Sequence, residues 1–338
     1  MSGLEATHPA GQGATSPVAT RRAAASPIWR GGLGAASVWI SAAALTVLWP
    51  DLTPWARTSL LATVQAVLGL VLAVLAVAAP GSRRLARIKP LAPWFAALPV
   101  ILTVWQVFTA KTGLLPLPFF PPPQSILEVY TDDSGRLVES IVHSMLLLLP
   151  GYLLGGLAGF GVGVSVGWSR AISYWAHPIL RFVGPLPATA WLPVAFFFFP
   201  GTRSASTFLI ALSTAFPVAV LTASGIGSVS AGFYDIARTL GASKRFLITK
   251  VAIPAALPHV FVGLFMGLGA SFAVLIVAEM MGVKAGLGWY LQWAQGWAAY
   301  ANLYGALIIM ALLFSGLISL LFAVRDKALA WQKGMVRW

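Results

Sequence analysis

The chain contains no cysteine, few charged residues and few groups that could bind a metal. Without Cys, neither a disulfide nor a thiolate metal site can form. Four His and nine acidic residues are scattered over 338 positions, so no metal site is expected. Charged residues make up only 9% of the chain, against roughly 25% in soluble domains. So small a share could not cover the surface of a soluble protein of this length, and a second, apolar solvent is needed.

Hydrophobic residues supply 58% of the chain, and its mean hydropathy is +0.83. A membrane-spanning helix needs about 20 mainly apolar residues. Eight segments meet this requirement, at 33–49, 59–79, 92–110, 144–167, 179–199, 206–224, 258–281 and 304–324. We therefore predict an all-α, polytopic membrane helical bundle. The first segment is interpreted as an anchor, because no signal-peptide cleavage site follows it, and the tail at 1–32 is predicted to be disordered.

The distribution of Lys and Arg predicts the orientation of the chain. With the N-terminus inside, 17 of the 22 basic residues lie in the tail, the inner loops and the C-terminal segment, and five lie outside. Basic residues accumulate on the cytoplasmic side of membrane proteins. Both termini are therefore expected in the cytoplasm, and the chain is expected to be a multi-pass protein of the cell (inner) membrane, surrounded by lipid. The same rule accounts for the net charge of +13 without a nucleic-acid partner.

Small residues recur at helical spacing in two of the predicted spans. The 144–167 span carries a glycine at every fourth position of one helix face: Gly151, Gly155, Gly159, Gly163 and Gly167. Gly263 and Gly267 repeat the spacing in the 258–281 span. Because small residues let two membrane helices approach closely, these positions predict helix packing rather than chemistry.

The 179–199 span is interrupted by Pro185, Pro187 and Pro193. Each proline removes a backbone donor. Broken helices occur in membranes where they are buried in protein or line a cavity. Pro187, Trp191 and Pro193 are therefore candidates for a translocation path or gate, and a kink that serves packing alone is the open alternative.

Glu279 is the one acidic residue inside a predicted span. A charge at depth is expensive, so such a residue usually faces protein or water and has a role. Two roles stay open: a structural latch at the break between Gly282 and Gly288, and a contact in the path or gate. The outer loop 111–143 also has two interpretations, a helix lying on the surface and a docking surface for a soluble partner.

The long inner loop 225–257 predicts a helix–turn–helix. Gly241 allows the left-handed turn that ends the first helix, and Ser243 can cap the second. The second helix would end near Ala252, because Pro254 disfavours helical backbone in the residue before it. The pair should present its basic side chains, and three apolar residues are expected to be buried: Ile236, Leu240 and Phe246.

The residues of this loop resemble the EAA loop of ABC importer permeases. The stretch 235–241 reads DIARTLG and is followed by Pro254. Asp235 stands where the family usually has Glu, and Ile236 stands where Ala is usual. In that family the short helix docks in a cleft of a cytoplasmic ATPase and transmits its closure to the spans. The resemblance implies an ATPase-coupling role for Asp235, Ile236, Ala237, Arg238, Gly241 and Pro254.

Two further stretches resemble the nitrate/sulfonate/taurine branch of these permeases. Residues 185–193 read PLPATAWLP, and 278–280 read AEM before the GLG of 286–288. The resemblance covers 92–332 and implies a type I ABC importer permease core of six spans. Two extra N-terminal spans and a basic loop at 33–91 fall outside it, as does a short C-terminal tail at 333–338.

The resemblance also implies a division of labour between subunits. A homodimer of permeases would work with two cytoplasmic ABC ATPases and an extracytoplasmic substrate-binding protein. ATP would be bound by the ATPases, and the chain, which has no GxxxxGK[ST] loop, would carry no catalytic site or cofactor. Its substrate would be a small anion such as a sulfonate, taurine, nitrate or bicarbonate. The alternative is a secondary transporter or channel without an ATPase, although ion coupling usually needs more intramembrane charges than Glu279 alone.

Overall fold

The computed structural model describes residues 28–78, 82–184 and 186–331, and all regular structure in these ranges is helical. The predicted all-α class is therefore confirmed. Of the two predicted tails, 1–27 and 333–338 lie outside the described residues, whereas Arg30 already belongs to the first helix. The helices are α1 (Arg30–Leu48), α2 (Thr58–Ala78), α3 (Arg83–Ile88), α4 (Ala92–Gln106), α5 (Pro123–Asp132), α6 (Ser134–Trp168), α7 (Arg170–Val183), α8 (Leu192–Phe198), α9 (Thr202–Gly227), α10 (Ala231–Thr239), α11 (Lys244–Phe246), α12 (Ile253–Met281), α13 (Leu287–Gly296) and α14 (Tyr300–Ala328).

Seven helices of the described chain are long and apolar enough to cross a bilayer. They correspond to seven of the eight predicted spans. The eighth, 179–199, which the prolines were predicted to interrupt, is not one continuous helix. It is a pair, α7 and Ala188–Phe198, bent by 87°. Gly184 ends α7, and Pro187, which has no N–H to donate, precedes the short 3₁₀ turn Ala188–Trp191 that begins the second half.

Two predicted loops are more helical than expected. The basic loop 80–91 is helical from Arg83 and joins α4, so that one apolar helix runs from Leu85 to Lys111. The second helix of the inner loop does not end before Pro254. A π-helical stretch, Leu247–Ala252, leads from α11 into α12 without a break, and Pro254 lies in the first turn of α12, where a missing N–H is tolerated.

The chain falls into two compact units. The first comprises the described parts of 1–45 and 62–101. Within it, Gly69 of α2 packs against Trp39 and Ile40 of α1, and Trp29 donates a backbone hydrogen bond to the Ala76 carbonyl at 3.1 Å. This unit is therefore a packed helical hairpin with α3 and the start of α4.

The second unit, 46–61 and 102–338, is built around α6 and α9. The five glycines of α6 lie against α9 in rising order, from Gly151 at Ile210 to Gly167 at Ala223. A Cβ atom added at Gly155 or Gly159 would come within 2.4 Å of an α9 carbonyl oxygen. The two helices are thus in close contact and run parallel.

Parallel packing of α6 and α9 determines the path of the chain between them. The chain must return from the end of α6 to the start of α9, and the broken pair does so along α9. Gly184 lies at Phe216, and the Phe199 and Phe208 rings are in contact, with centroids 4.9 Å apart. The pair therefore makes the crossing that the sequence assigned to the proline-interrupted span. On the other face of α9, α12 runs antiparallel, with Gly263 at Val218. We call the two ends of this bundle the α10 end and the α13 end.

Candidate functional site

A cavity of about 570 Å³ lies between the broken pair, α9 and α12. The Ala188–Trp191 turn, Ser213 and Phe216 of α9, and Ala270 of α12 are among its lining residues. The bend between α7 and Ala188–Phe198 lies at this space, since Gly184 and Pro187, on either side of the bend, line the cavity. The cavity is lined mainly by apolar side chains, and no described lining residue carries a charge.

The predicted path residues separate into two groups. Pro187 and Trp191 line the cavity. Pro193 lies in the first turn of α8 and Glu279 lies near the end of α12, and neither borders the cavity. Pro185 is outside the described residues. The proline-rich turn is thus at the cavity, whereas the intramembrane acid is elsewhere.

A second cavity, of about 530 Å³, adjoins the first toward the α10 end. Phe216 and Val220 of α9 border both cavities. The polar side chains of the second cavity come mainly from α7: Ser173, His177 and Arg181. Sequence reasoning counted Arg181 only as an inner basic residue, although its spacing from Ser173 and His177 on one face of α7 was visible in the sequence.

The α13 end of the first cavity is closed by a buried apolar cluster. Leu192 and Ala195 of α8 pack with Leu209 of α9 and Ala278 of α12. These residues lie one turn beyond Trp191 and Val274, which line the cavity. The space is therefore blocked toward α13 and continues toward α10.

Glu279 is fully buried beside this cluster, at 1% exposure. Its carboxylate accepts hydrogen bonds from Ser144 Oγ, at 2.7 and 3.0 Å, and from Gly288 N at 2.8 Å. The Ser144 hydroxyl in turn accepts from Leu287 N at 2.9 Å. Three elements, α6, α12 and the start of α13, therefore meet at one carboxylate, which is the geometry of a latch rather than of a substrate contact.

Glycines make room for this latch. Gly286 has a φ of +103°, and a Cβ there would lie 2.2 Å from a Glu279 carboxylate oxygen. A Cβ on Gly288 would lie 2.5 Å from the Ile276 carbonyl oxygen. A Cβ on Gly282 would meet the Phe196 ring of α8 at 2.5 Å. The 282–288 segment is thus fitted closely between Glu279 and the broken pair.

The EAA-like helix is exposed along most of its length. Ile236 and Leu240 are 62% and 82% exposed, and Phe246 is also exposed, so the expectation that these residues are buried is wrong for the isolated chain. Asp235 and Arg238 form an exposed i,i+3 ion pair at 3.3 Å. The turn is as expected: Gly241 has a φ of +79°, and Ser243 Oγ accepts from Phe246 N at 3.3 Å.

One side of α10 is attached to the spans. Tyr234 meets the Trp168 ring at the end of α6 edge-on, with ring centroids 5.8 Å apart. Both pack against a buried cluster that contains Ile226 of α9 and Ala252. Burial at this contact raises the pKa of the Tyr234 phenol. A movement of α10 would therefore reach α6, α9 and α12 directly.

A buried ion pair that the sequence did not reveal lies near the α13 end. Lys111, at the end of the Leu85–Lys111 helix, pairs with Asp51 at 2.8 Å, with side-chain exposures of 0% and 7%. Lys111 Nζ also donates to the carbonyls of Thr46 (3.0 Å) and Trp49. Asp51 accepts from Thr58 Oγ1 at 2.9 Å and from Gln124 Nε2 at 3.2 Å. The α1–α2 loop is thus fixed to helix ends and to α5.

Comparison with known proteins agrees with these features. Residues 151–328 match the family described as "Binding-protein-dependent transport system inner membrane component". The chain is 30% identical to a nitrate import permease of Synechococcus elongatus over 72% of this chain and 89% of the relative. It is 29% identical to a bicarbonate transport system permease of the same species, over 70% and 85%. It is 30% identical to a putative aliphatic sulfonates transport permease of Bacillus subtilis, over 75% and 91%.

Proposed function

The chain belongs to the family of binding-protein-dependent transport system inner membrane components, and from this membership we propose how its parts work. It is a multi-pass permease subunit of an ATP-driven importer, and a transport subunit rather than an enzyme. In our proposal the cavity beside Trp191 is part of the translocation path, and Ala231–Phe246, which we call the coupling pair, receives the movement of the ATPases. Two copies of the chain would work with two ATPases and one soluble binding protein.

The exposed apolar surface of the coupling pair is the observation that carries this proposal. Phe233, Ile236 and Leu240 are 62–82% exposed on a helix that lies beyond the ends of the spans. Large apolar side chains in water are unfavourable unless a partner covers them. The Tyr234–Trp168 contact then supplies a short mechanical connection from that partner to α6.

The charge distribution supports a cytoplasmic α10 end. The coupling pair carries Arg238, Lys244 and Arg245, and α14 ends with Arg325 and Lys327. Basic residues mark the cytoplasmic side. Together with the sequence count, which assigns 17 of the 22 Lys and Arg to the inside, this supports our proposal that both termini are cytoplasmic.

The substrate proposed is a small oxoanion. The relatives are named for nitrate, bicarbonate and aliphatic sulfonates, which share a compact group of acceptor oxygens and a single negative charge. The absence of acidic residues among the described lining residues of both cavities suits such a cargo. The described residues that border the cavity belong to the broken pair, α9 and α12, and a second copy would supply the facing wall.

Reconstitution with a partner ATPase and a substrate-binding protein tests the proposal. We expect the ATPase to co-purify with the tagged chain, and oxoanion uptake into proteoliposomes to require ATP and the binding protein. Uptake that continues without ATP, driven by an ion gradient, would instead identify a secondary transporter.

A further inference from the structure

The two adjoining cavities form one passage along α9. It extends from Leu212 to Gly227, which is 16 residues and about 22 Å of helix. Its first part has no charged residue among the described lining residues. Its second part has one, Arg181. A passage for an anion thus meets a single fixed positive charge.

Arg181 borders the second cavity, and its side chain is exposed in the isolated chain. It is one turn before Gly184, which faces the Phe216 ring. Phe216 precedes the end of α9 at Gly227 by 11 residues, or about 16 Å, and Arg181 lies about one helical turn nearer to that end. A charged side chain on a broken span that faces a cavity is a candidate for a functional site. Within the part of the chain that the structure describes, no ion pair involves Arg181.

Hydrogen-bond donors accompany this guanidinium. His177, one turn earlier on α7, contacts the hydroxyl and the carbonyl oxygen of Ser173 through Nδ1, each at 3.0 Å. Its Nε2 donates to a ligand when Nδ1 accepts from the hydroxyl or when the ring is protonated. Ser224 of α9 lines the opposite wall. A guanidinium presents several N–H groups in a plane and binds the oxygens of anions in pairs, and hydroxyl and imidazole groups can complete the shell.

We propose that Arg181, His177 and Ser224 form a binding site for a small oxoanion in the half of the passage nearest α10. The statement that the bound oxoanion is the transported cargo rests on the proposed function. The phosphate of a lipid headgroup has the same chemistry, so the test must separate these two sources.

The lack of cysteine allows a direct measurement of the charge in the passage. Ala223→Cys places one thiol on the wall of the second cavity. The assembled complex in proteoliposomes is labelled with two methanethiosulfonate reagents, a negatively charged sulfonatoethyl and a positively charged trimethylammonioethyl compound. The experiment compares the rates at which the thiol reacts with each reagent. Arg181→Gln should lower the anionic-to-cationic rate ratio by about tenfold, as expected for a unit charge within roughly 8 Å in a partly hydrated site.

Arg170→Gln is the matched control. Arg170 lies on the same helix and borders a third, shallower depression with Arg181, but it does not border the passage. The rate ratio should be unchanged in this variant. An unchanged ratio in Arg181→Gln, or an equal fall in Arg170→Gln, would overturn the proposal.

Ligand protection separates cargo from lipid. Nitrate, bicarbonate or methanesulfonate at millimolar concentration should slow labelling of the Ala223→Cys protein, and should not do so when Arg181→Gln is added. If the anions slow labelling neither in zwitterionic nor in anionic vesicles, and the labelling rate changes only when phosphatidylglycerol is added, the site binds lipid. That result would refute the cargo site. If the unmutated complex shows no ATP-driven uptake, the proposed function is refuted. Protection by anions would still show that the site binds an oxoanion.

Discussion

Replacing Lys111 by Met is expected to destabilise the protein strongly, although Lys111 is far from the coupling pair. Met retains most of the length of the Lys stem and removes the charge. The ammonium group donates to the carbonyls of Thr46 and Trp49 and is the ionic partner of Asp51. In the variant both carbonyls lose a donor and Asp51 loses its ionic partner.

The structure sets the size of the effect. Removing one partner of a buried ion pair costs about 3–5 kcal/mol, because the other charge stays buried and unpaired. Asp51 keeps two neutral donors, Thr58 and Gln124, so we expect about 3 kcal/mol, the lower end of this range. The double variant Asp51→Asn/Lys111→Met removes both charges, and Asn can still accept from Thr58. Replacing a whole buried pair by neutral groups is often close to neutral, so the double variant should recover at least half of the loss.

Reversible unfolding of the purified protein in mixed detergent micelles, followed by Trp fluorescence, measures these differences. The expected order of stability is unmutated chain, double variant, then Lys111→Met. If Lys111→Met and the unmutated chain agree within about 0.5 kcal/mol, Lys111 is hydrated in the protein and the buried-pair assignment is wrong.

Two further predictions concern the bundle. Gly159→Ala places a Cβ 2.4 Å from the Ala215 carbonyl oxygen and should lower the free energy of unfolding by about 1–3 kcal/mol in the same assay. In Gly161→Ala the new Cβ meets no atom of a neighbouring element within 4 Å, so this control should be neutral or slightly stabilising. Equal effects of the two substitutions would contradict the close α6–α9 contact. Glu279→Ala leaves the Ser144 hydroxyl and the Gly288 N–H without their acceptor and should lower the free energy of unfolding by about 2–4 kcal/mol. Glu279→Gln keeps one acceptor oxygen and should lower it less. If Glu279→Ala is as stable as the unmutated chain, the latch is ruled out.

Composition and periodicity predicted much of this fold. Seven of eight spans follow from apolar length alone, because a bilayer imposes a minimum length on every crossing. The left-handed turn at Gly241 and the Ser243 cap follow from local backbone chemistry, which depends on few neighbours. The span at 179–199 was predicted as a crossing, but the 87° bend was not, since proline positions do not give the angle of a break.

Features that depend on distant partners were not predictable. Asp51 and Lys111 are separated by 60 positions and were both counted as loop residues, and only folding shows that they are buried together. The exposure of Ile236 and Leu240 was also missed, because an amphipathic helix in a sequence indicates an apolar face and not which molecule covers it. Glu279 was recognised as unusual, but its role depended on the position of Ser144 on another helix.

The coupling role of α10 is the central claim, and parallel assays of ATP hydrolysis and uptake by Asp235→Lys in the reconstituted complex test it most directly. We expect uptake to fall at least tenfold while ATP hydrolysis continues, because a reversed charge on the exposed helix disturbs docking and leaves the spans intact. Asp326→Lys, which also breaks an exposed Asp–Arg pair, is the matched control and should transport normally. Normal uptake by Asp235→Lys, or an equal loss in Asp326→Lys, would contradict the assignment of α10 as the coupling element.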